Sequence, residues 1–387
     1  MSSQMDIDHD VPTVLATLRM EADPELVPLF YTMEDLWERK LWHQLTATLK
    51  EFYADSRSEP LRLRLFTQFV STFQTKINQL SLVTFGLAAA FQSADSNDAL
   101  SFLSNLSDKV DSPETWDAHV YAQIEIARIK LHLKDIDGAK SLLDTASKTL
   151  DRFDSLDPLI NASYYGVWSE YYKSKADFTA YYRTALLFLA CVNLDEFSDV
   201  QKQQRAYDLS IAALLGDKIY NFGELLLHPI LESLKNSEYQ WLVDLLFALN
   251  EGNITAFEKL LESVNKQPIL QNSLPFLRQK ICLTALIEAV FKRPTSNRTL
   301  SFDTIAKETH LIADDVEHLV MKALSLDLLK GHIDEVSETV AITWLQPRVL
   351  NKANIESMRQ RLVAWNNDVS GLSTWMESEG KDVWTTI

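Results

Sequence analysis

Apolar residues recur every three or four positions along most of this chain, which is the spacing of amphipathic α-helices. Amphipathic helices are predicted over 33–52 and 61–77, and from Trp116 onward the pattern predicts helices in pairs joined by short turns. The predicted pairs are 116–134 with 138–151, 158–174 with 178–193, 200–216 with 222–234, and 237–250 with 254–265.

The turn inside each pair carries an Asp or Asn, a favoured N-cap whose side-chain oxygen accepts a free backbone N–H. The predicted caps are Asp137, Asp177, Asn221 and Asn253, at intervals of 32–44 residues, and Glu224 gives Asn221 the spacing of a capping box. Repeats of this length stack into a solenoid, because one helical hairpin cannot bury its apolar face alone. No strict consensus recurs, so an irregular all-α bundle is the alternative.

The pattern changes near residue 295. The predicted elements are a helix over 275–292, an extended piece over 299–302, a short helix through 309 capped by Asp303 or Thr304, a helix over 314–329 stopped by Gly331, strands over 332–336 and 339–345, and a final helix over 351–376. The order helix, strand, helix, helix, strand, strand is that of a winged-helix module.

The predicted fold class is therefore all-α with a small winged-helix α+β module. A helical-repeat, TPR-like solenoid is followed by the winged helix and a C-terminal helix. The predicted segments are a flexible N-terminal stretch over 1–28, the solenoid over 29–273, the winged helix over 274–350, and the C-terminal helix with its tail over 351–387.

The final helix carries apolar residues at alternating steps of three and four, which is a heptad seam over three repeats. The seam residues are Ile355, Met358, Leu362, Trp365, Val369, Leu372 and Met376. This seam either packs back on its own winged helix or joins helices of other subunits. Trp365 and Trp375 favour the second interpretation, because exposed aromatic side chains near a chain end suit an interface.

A second candidate surface lies in the last predicted strand, over 339–345. Its edge is predicted to pair with the wing of a neighbouring protein, since an open strand edge offers unpaired backbone groups. The candidate contact residues on this strand are Val340, Ile342 and Trp344.

The charge balance argues against two partner classes. The formal net charge is −17, so a nucleic-acid backbone or an anionic membrane would be repelled. The helix that would read DNA in a winged helix, within 313–330, carries four acidic side chains against two lysines. Nucleic-acid binding is therefore the weaker rival function. The N-terminus lacks an apolar secretory core, and the longest apolar run, 185–192, is too short to span a bilayer.

The sequence contains none of the motifs that carry common chemistry. It has neither of the two glycine-rich motifs that bind phosphate, Gly-x-x-x-x-Gly-Lys-Ser/Thr and Gly-x-Gly-x-x-Gly. It also has no Gly-x-Ser-x-Gly nucleophile motif and no His-Glu-x-x-His pair. His310 and His318 lie eight residues apart, and a metal there would need ligands from elsewhere. Cys191 and Cys282 are predicted to be buried free thiols. We therefore predict no catalytic residue, no cofactor and no metal site.

The residues of the predicted wing resemble a PCI domain, the helical-repeat and winged-helix module of the proteasome lid, the COP9 signalosome and translation initiation factor three. The resemblance rests on 302–307, 316–326, 330–336 and 343–350. Four further segments, 41–46, 188–192, 221–234 and 240–242, are similar to one family of non-ATPase subunits of the proteasome lid.

The resemblance implies a scaffold role in the 19S regulatory particle lid, in ubiquitin-dependent protein degradation. The implied partners are other PCI subunits and the metalloprotease-type subunits of the lid, in a hetero-oligomer of the cytoplasm and nucleus without nucleic acid or membrane. The metalloprotease family needs a paired His-x-His, which this sequence lacks. A PCI scaffold of the signalosome or of the initiation factor is the alternative.

Overall fold

The computed structural model describes residues 11–92, 95–112, 115–153, 157–235, 237–293, 298–348 and 352–379. The chain forms two compact units, of which the first ends at Phe197 and the second begins at Ser198. The sequence pattern predicts no boundary at this position, and its predicted boundary at 273/274 lies inside the second unit. The predicted fold class, helices followed by a small winged-helix module, is confirmed.

The described part of the first unit is entirely helical. Its helices are α1 (Val11–Glu21), α2 (Val27–Glu38), α3 (Trp42–Ala54), α4 (Arg62–Gln68), α5 (Gln79–Ala90), α6 (Ser96–Val110), α7 (Trp116–His132), α8 (Ile136–Leu150), α9 (Pro158–Lys175) and α10 (Phe178–Cys191), with 3-10 helices at Ser56–Leu61, Val70–Lys76 and Leu194–Glu196. The prediction that 1–28 is flexible is wrong for α1, because Leu15 and Leu18 are buried in the core of this unit. Residues 1–10 lie outside the described part.

Two predicted early helices are each divided in the structure. The helix predicted over 33–52 breaks at Lys40, whose φ of 57° is left-handed, and Leu41 N–H donates back to the Leu36 carbonyl. Such a residue ends a helix by satisfying its last carbonyl groups. The helix predicted over 61–77 becomes α4 and a 3-10 helix with a kink at Phe73.

The predicted hairpins of the first unit are confirmed as α7 with α8 and α9 with α10. Asp177 caps α10 as predicted, accepting the Ala180 N–H at 3.1 Å. The predicted cap at Asp137 is wrong: α8 begins two residues earlier than expected, and Asp135 accepts the Gly138 N–H at 3.0 Å.

The second unit begins with α11 (Asp199–Leu215), α12 (Gly223–Leu227), α13 (Gln240–Glu251), α14 (Ile254–Val264), α15 (Pro268–Asn272) and α16 (Leu274–Phe291). The helix predicted over 222–234 is interrupted at His228, because the following proline disfavours helical geometry in the residue before it. Beyond Pro229 the chain continues as a 3-10 helix, Pro229–Leu234.

In the second unit, too, one predicted N-cap is confirmed and the other is wrong. Asn253 caps α14 as predicted, accepting the Ala256 N–H. Asn221 instead accepts the Gly223 N–H and lies one residue before the N-cap of α12, so the capping box predicted with Glu224 is wrong. A capping box does form in α11, between Ser198 and Gln201.

The wing follows in the predicted order. It consists of β1 (Thr299–Ser301), α17 (Phe302–Thr309), α18 (Ala313–Ser325), β2 (Leu329–Asp334) and β3 (Thr339–Leu345), and α19 (Lys352–Glu379) follows it. Three details differ from the prediction. The strand predicted over 332–336 is β2, which begins three residues earlier, at Leu329, and ends at Asp334. Ser301, not Asp303 or Thr304, caps α17, and α18 ends at Ser325 before a turn in which Asp327 is left-handed.

Replacing Gly252 by Ala is expected to destabilise the second unit strongly. Gly252 ends α13 with φ +66°, and a Cβ there would lie 2.6 Å from the Ala285 Cα in the backbone of α16. The left-handed backbone costs about 1–2 kcal/mol, and the forced shift of two packed helices adds about 1–3 kcal/mol. Urea unfolding followed by circular dichroism measures the loss.

Gly371 in α19 is the matched control for this substitution. Apart from the adjoining residues and the backbone of α19 itself, no heavy atom lies within 4 Å of the position that a Cβ would occupy there, so Gly371→Ala meets no steric obstacle. It should stabilise the exposed helix by about 1 kcal/mol, because alanine has a higher helix propensity than glycine. Equal effects at both glycines would contradict the close approach of α13 and α16.

Candidate partner-binding surfaces

The wing has its own apolar core, built on α16. Leu286 and Val290 of α16 pack with side chains of α17 and α18 and with the inner face of the sheet. Val340 and Ile342 belong to this core and are 0% and 5% exposed. Their predicted role as contact residues is therefore wrong, because the fold of the chain itself covers both side chains.

The position of β3 in the sheet also differs from the prediction. The strand order is β1-β3-β2, with both pairs antiparallel, so β3 is the central strand. Its N-terminal half pairs with β1 at Thr299–Ser301, and the Ile342 N–H donates to the Arg298 carbonyl at 3.1 Å. In the described residues the open edges of the sheet are those of β1 and β2.

A β-bulge explains why Trp344 does not follow Val340 and Ile342 into the core. The register between β2 and β3 shifts at Lys330/Gly331, so that Trp344 lies opposite Lys330 and Leu345 packs against the wing core. A bulge re-aims the side chains that follow it. Trp344 is 40% exposed, and the Lys330 ammonium lies 5.2 Å from its ring centroid. Of the three predicted contact residues on this strand, Trp344 alone lies on the surface.

Arg348 fixes the chain after β3. It belongs to none of the catalytic or metal-binding motifs considered in the sequence. Its guanidinium pairs with Glu288 of α16 at 2.5 Å and donates to the backbone carbonyl and side chain of Asn250 in α13. Charged groups held this way in a partly buried site form strong, directional bonds. The last described residue before α19 is therefore anchored to two helices of the second unit.

The predicted seam lies on a helix whose described side chains are all exposed. α19 has 28 residues, which corresponds to about 42 Å of helix. Leu362 and Trp365 are 63% and 66% exposed, and the other five seam residues are exposed as well. Trp375 adds a further exposed ring. An apolar row of this length is unusual on a helix surface that faces water.

The outer face of α18 is acidic where a nucleic-acid reader would be basic. Asp314 and Asp315 are exposed in its first turn, where they stabilise the positive end of the helix dipole. Exposed apolar side chains, Ile312 and Met321, accompany them. This face suits contacts with protein better than contacts with phosphate.

The described residues offer little for chemistry. They contain no group of three or more His, Cys, Asp or Glu that could hold a metal ion. His310 is the exposed left-handed residue that ends α17, and His318 is exposed on α18. Cys191 and Cys282 are free thiols, half-buried rather than buried, and burial raises the pKa of both. Within the described ranges, no helix is both long and apolar enough to cross a membrane.

Comparison with known proteins matches nearly the whole chain. Residues 29–246 match the family described as PSD13 N-terminal repeats, residues 257–344 match the PCI domain, and residues 348–380 match the Rpn9 C-terminal helix. The third match covers the helix that carries the exposed seam.

Full-length relatives are regulatory subunits of the 26S proteasome. The chain is 47% identical to the 26S proteasome regulatory subunit RPN9 of Saccharomyces cerevisiae, over 97% of this chain and 99% of that protein. It is 37% identical to the 26S proteasome non-ATPase regulatory subunit 13 homolog B of Arabidopsis thaliana, over 94% and 96%. The eukaryotic translation initiation factor 3 subunit M of Yarrowia lipolytica is 24% identical over only 41% of this chain.

Proposed function

Because the chain belongs to the Rpn9/PSD13 family of PCI-domain proteins, we propose that it is a non-catalytic scaffold subunit of the 26S proteasome regulatory particle lid. In this role it holds neighbouring subunits of the lid together and so supports ubiquitin-dependent protein degradation. We place its action in the cytoplasm and nucleus.

The exposed seam of α19 is the observation that carries this proposal. A helix of this length with seven large apolar side chains in water gains about 1.5–3 kcal/mol for each side chain that a partner buries. Seams at heptad spacing pack against other helices. The seam therefore supports a bundle formed with helices of other lid subunits.

The wing offers a second contact surface, but a different one from the predicted strand. The outer edge of β2 presents backbone groups to solvent, and exposed Lys330 and Trp344 lie beside it. An open strand edge of this kind pairs with a strand from another protein. We place the neighbouring PCI subunits at this edge, and the metalloprotease-type subunits among the partners of the helical bundle.

Removing residues 351–387 is expected to leave a folded chain that no longer joins the assembly. The described side chains of α19 contribute nothing to the core of the second unit, so the melting temperature should change little. A tagged copy of each form, expressed in place of the native chain, is purified and its partners are identified by mass spectrometry. The full chain should bring down lid subunits and proteasome ATPases, and the truncated chain less than about a tenth as much.

The same purification separates the competing assemblies. Signalosome or initiation-factor subunits in place of proteasome ATPases would overturn the proposal. Stoichiometric recovery of the lid with the truncated chain would leave the family membership intact but exclude the bundle. Turnover of a substrate by the isolated full chain would contradict the non-catalytic role.

A further inference from the structure

A cleft of about 420 Å³ opens in the first unit, between α3 and the chain that leads from the 3-10 helix Val70–Lys76 into α5. Its volume lies in the range of about 300–1,000 Å³ that is usual for ligand sites. Neither the predicted seam nor the wing includes any of its residues. The proposed scaffold role therefore does not account for it.

The cleft is basic, although the chain as a whole is strongly acidic. Lys50, Lys76 and His43 line it, and no Asp or Glu is among its lining residues. The net charge of the full chain is −17. In the described part of the chain neither lysine forms an ion pair with a carboxylate, although lysines elsewhere do. The two ammonium groups are therefore available to an external anion.

An aromatic wall holds one of these cations in place. Trp42 stacks on Phe73 with ring centroids 5.5 Å apart and planes 23° apart. The Lys76 ammonium lies 5.0 Å from the centroid of the Trp42 ring, within the range of a cation–π contact. Ile77, which is buried, adds an apolar side chain to the lining. The cleft thus combines two exposed ammonium groups with an apolar surface.

We propose that this cleft binds a short acidic segment of another protein, with its carboxylates on Lys50 and Lys76 and an apolar side chain against Trp42. Charge complementarity selects such a partner, because carboxylates satisfy the ammonium groups and the aromatic wall takes an apolar residue. A nucleic acid fits poorly, since its extended phosphate backbone would meet the negative charge of the surrounding chain.

Fluorescence anisotropy on the isolated full chain tests the proposal independently of the scaffold role. The probe is a fluorescein-labelled pentapeptide of aspartate and glutamate around one leucine, and the reference peptide carries asparagine and glutamine instead. The acidic peptide should bind at least ten-fold tighter than the reference, and more weakly as salt screens the charges. Lys50→Glu with Lys76→Glu should weaken its binding at least ten-fold, and Trp42→Ala should weaken it several-fold.

A matched charge reversal elsewhere in the first unit provides the control. Lys140→Glu with Lys148→Glu on α8 changes the net charge equally, at exposed positions outside the cleft. Equal losses in the two double variants would overturn the proposal, as would equal binding of the neutral peptide. Displacement by inorganic phosphate beyond that caused by sodium chloride of equal ionic strength would indicate a general anion site instead. A ten-fold gain in affinity after removal of residues 1–10 would identify the chain's own acidic N-terminal segment as the occupant and would also overturn it.

Discussion

Replacing Leu362 and Trp365 together by Ala is expected to lower the affinity of the chain for its assembly by about three orders of magnitude. Both residues lie on the seam of α19 and are more than 60% exposed in the isolated chain. Large side chains at the centre of an interface each contribute about 2 kcal/mol or more. Two of them together therefore account for about 4 kcal/mol, and each 1.4 kcal/mol is about a factor of ten in affinity.

The stability of the isolated chain should barely respond to the same pair of substitutions. Substitutions at exposed positions usually change the free energy of unfolding by less than about 0.5 kcal/mol. Gln360→Ala with Asn367→Ala is the matched control, because these residues share a heptad position on the opposite face of the helix. Co-purification measures assembly, and thermal unfolding of the isolated chain measures stability. Equal losses in both would show that the seam packs on its own winged helix.

Replacing Lys280 by Met is expected to destabilise the second unit by about 3 kcal/mol. Lys280 is 1% exposed, although it is a lysine in the middle of α16. Its ammonium donates to the carbonyls of Ala213, Leu214 and Gly216 at 2.8, 3.0 and 2.9 Å. These carbonyls end α11. In the variant the Ala213 and Leu214 carbonyls lose the Lys280 donor, and the Gly216 carbonyl keeps only the long hydrogen bond from the Ile219 N–H at 3.4 Å.

Three aromatic rings complete the surroundings of this ammonium. The centroids of Tyr220, Phe222 and Phe276 lie 5.5, 5.2 and 5.5 Å from the Lys280 Nζ. Burial lowers the pKa of Lys280 to about 7, against the opposing effect of Asp217. The unfolded lysine titrates at about 10.4. Between these values the unfolded chain binds a proton that the folded chain lacks, so the free energy of unfolding rises with pH.

The pH dependence distinguishes this lysine from an ordinary packing residue. From pH 7 to pH 9 the wild-type chain should gain up to about 1.4 kcal/mol per pH unit relative to Lys280→Met. Urea unfolding at several pH values measures the gap. Lys259→Met, at an exposed position on α14, should change stability by less than about 0.5 kcal/mol at every pH. A gap that stayed constant with pH would contradict a lowered pKa for Lys280.

The wing illustrates how far the sequence could predict the candidate surface. Alternation along β3 places Val340 and Ile342 on one face, which is visible in the sequence, but the face they occupy is the core. The alternation also predicts Trp344 on that face. The bulge opposite Gly331 turns the Trp344 side chain to the surface instead. A Cβ at Gly331 would overlap the Ala341 carbonyl oxygen, so a glycine permits the close approach. No local pattern in the sequence predicts the bulge.

Helix ends show the same limit on a smaller scale. Asp177 and Asn253 were predictable caps because each precedes a strong apolar period and reaches its own helix. Asp137 and Asp303 have the same side-chain chemistry, but Asp135 and Ser301 cap those helices instead. Several neighbouring polar residues can cap a helix, and helix ends are defined only to within one or two residues by the local sequence pattern.

The sequence by itself determined the elements that depend on neighbouring residues: most of the helices, the order of the wing, and the heptad seam of α19, because their periodicity is local. The tertiary structure alone decided which surfaces remain open. The central position of β3, the burial of Lys280 and the exposure of the seam all depend on residues far apart in the chain. Distant strands pair, and helices bury side chains between them, only when the whole chain has folded. The tertiary structure therefore decides which candidate surfaces are exposed to a partner.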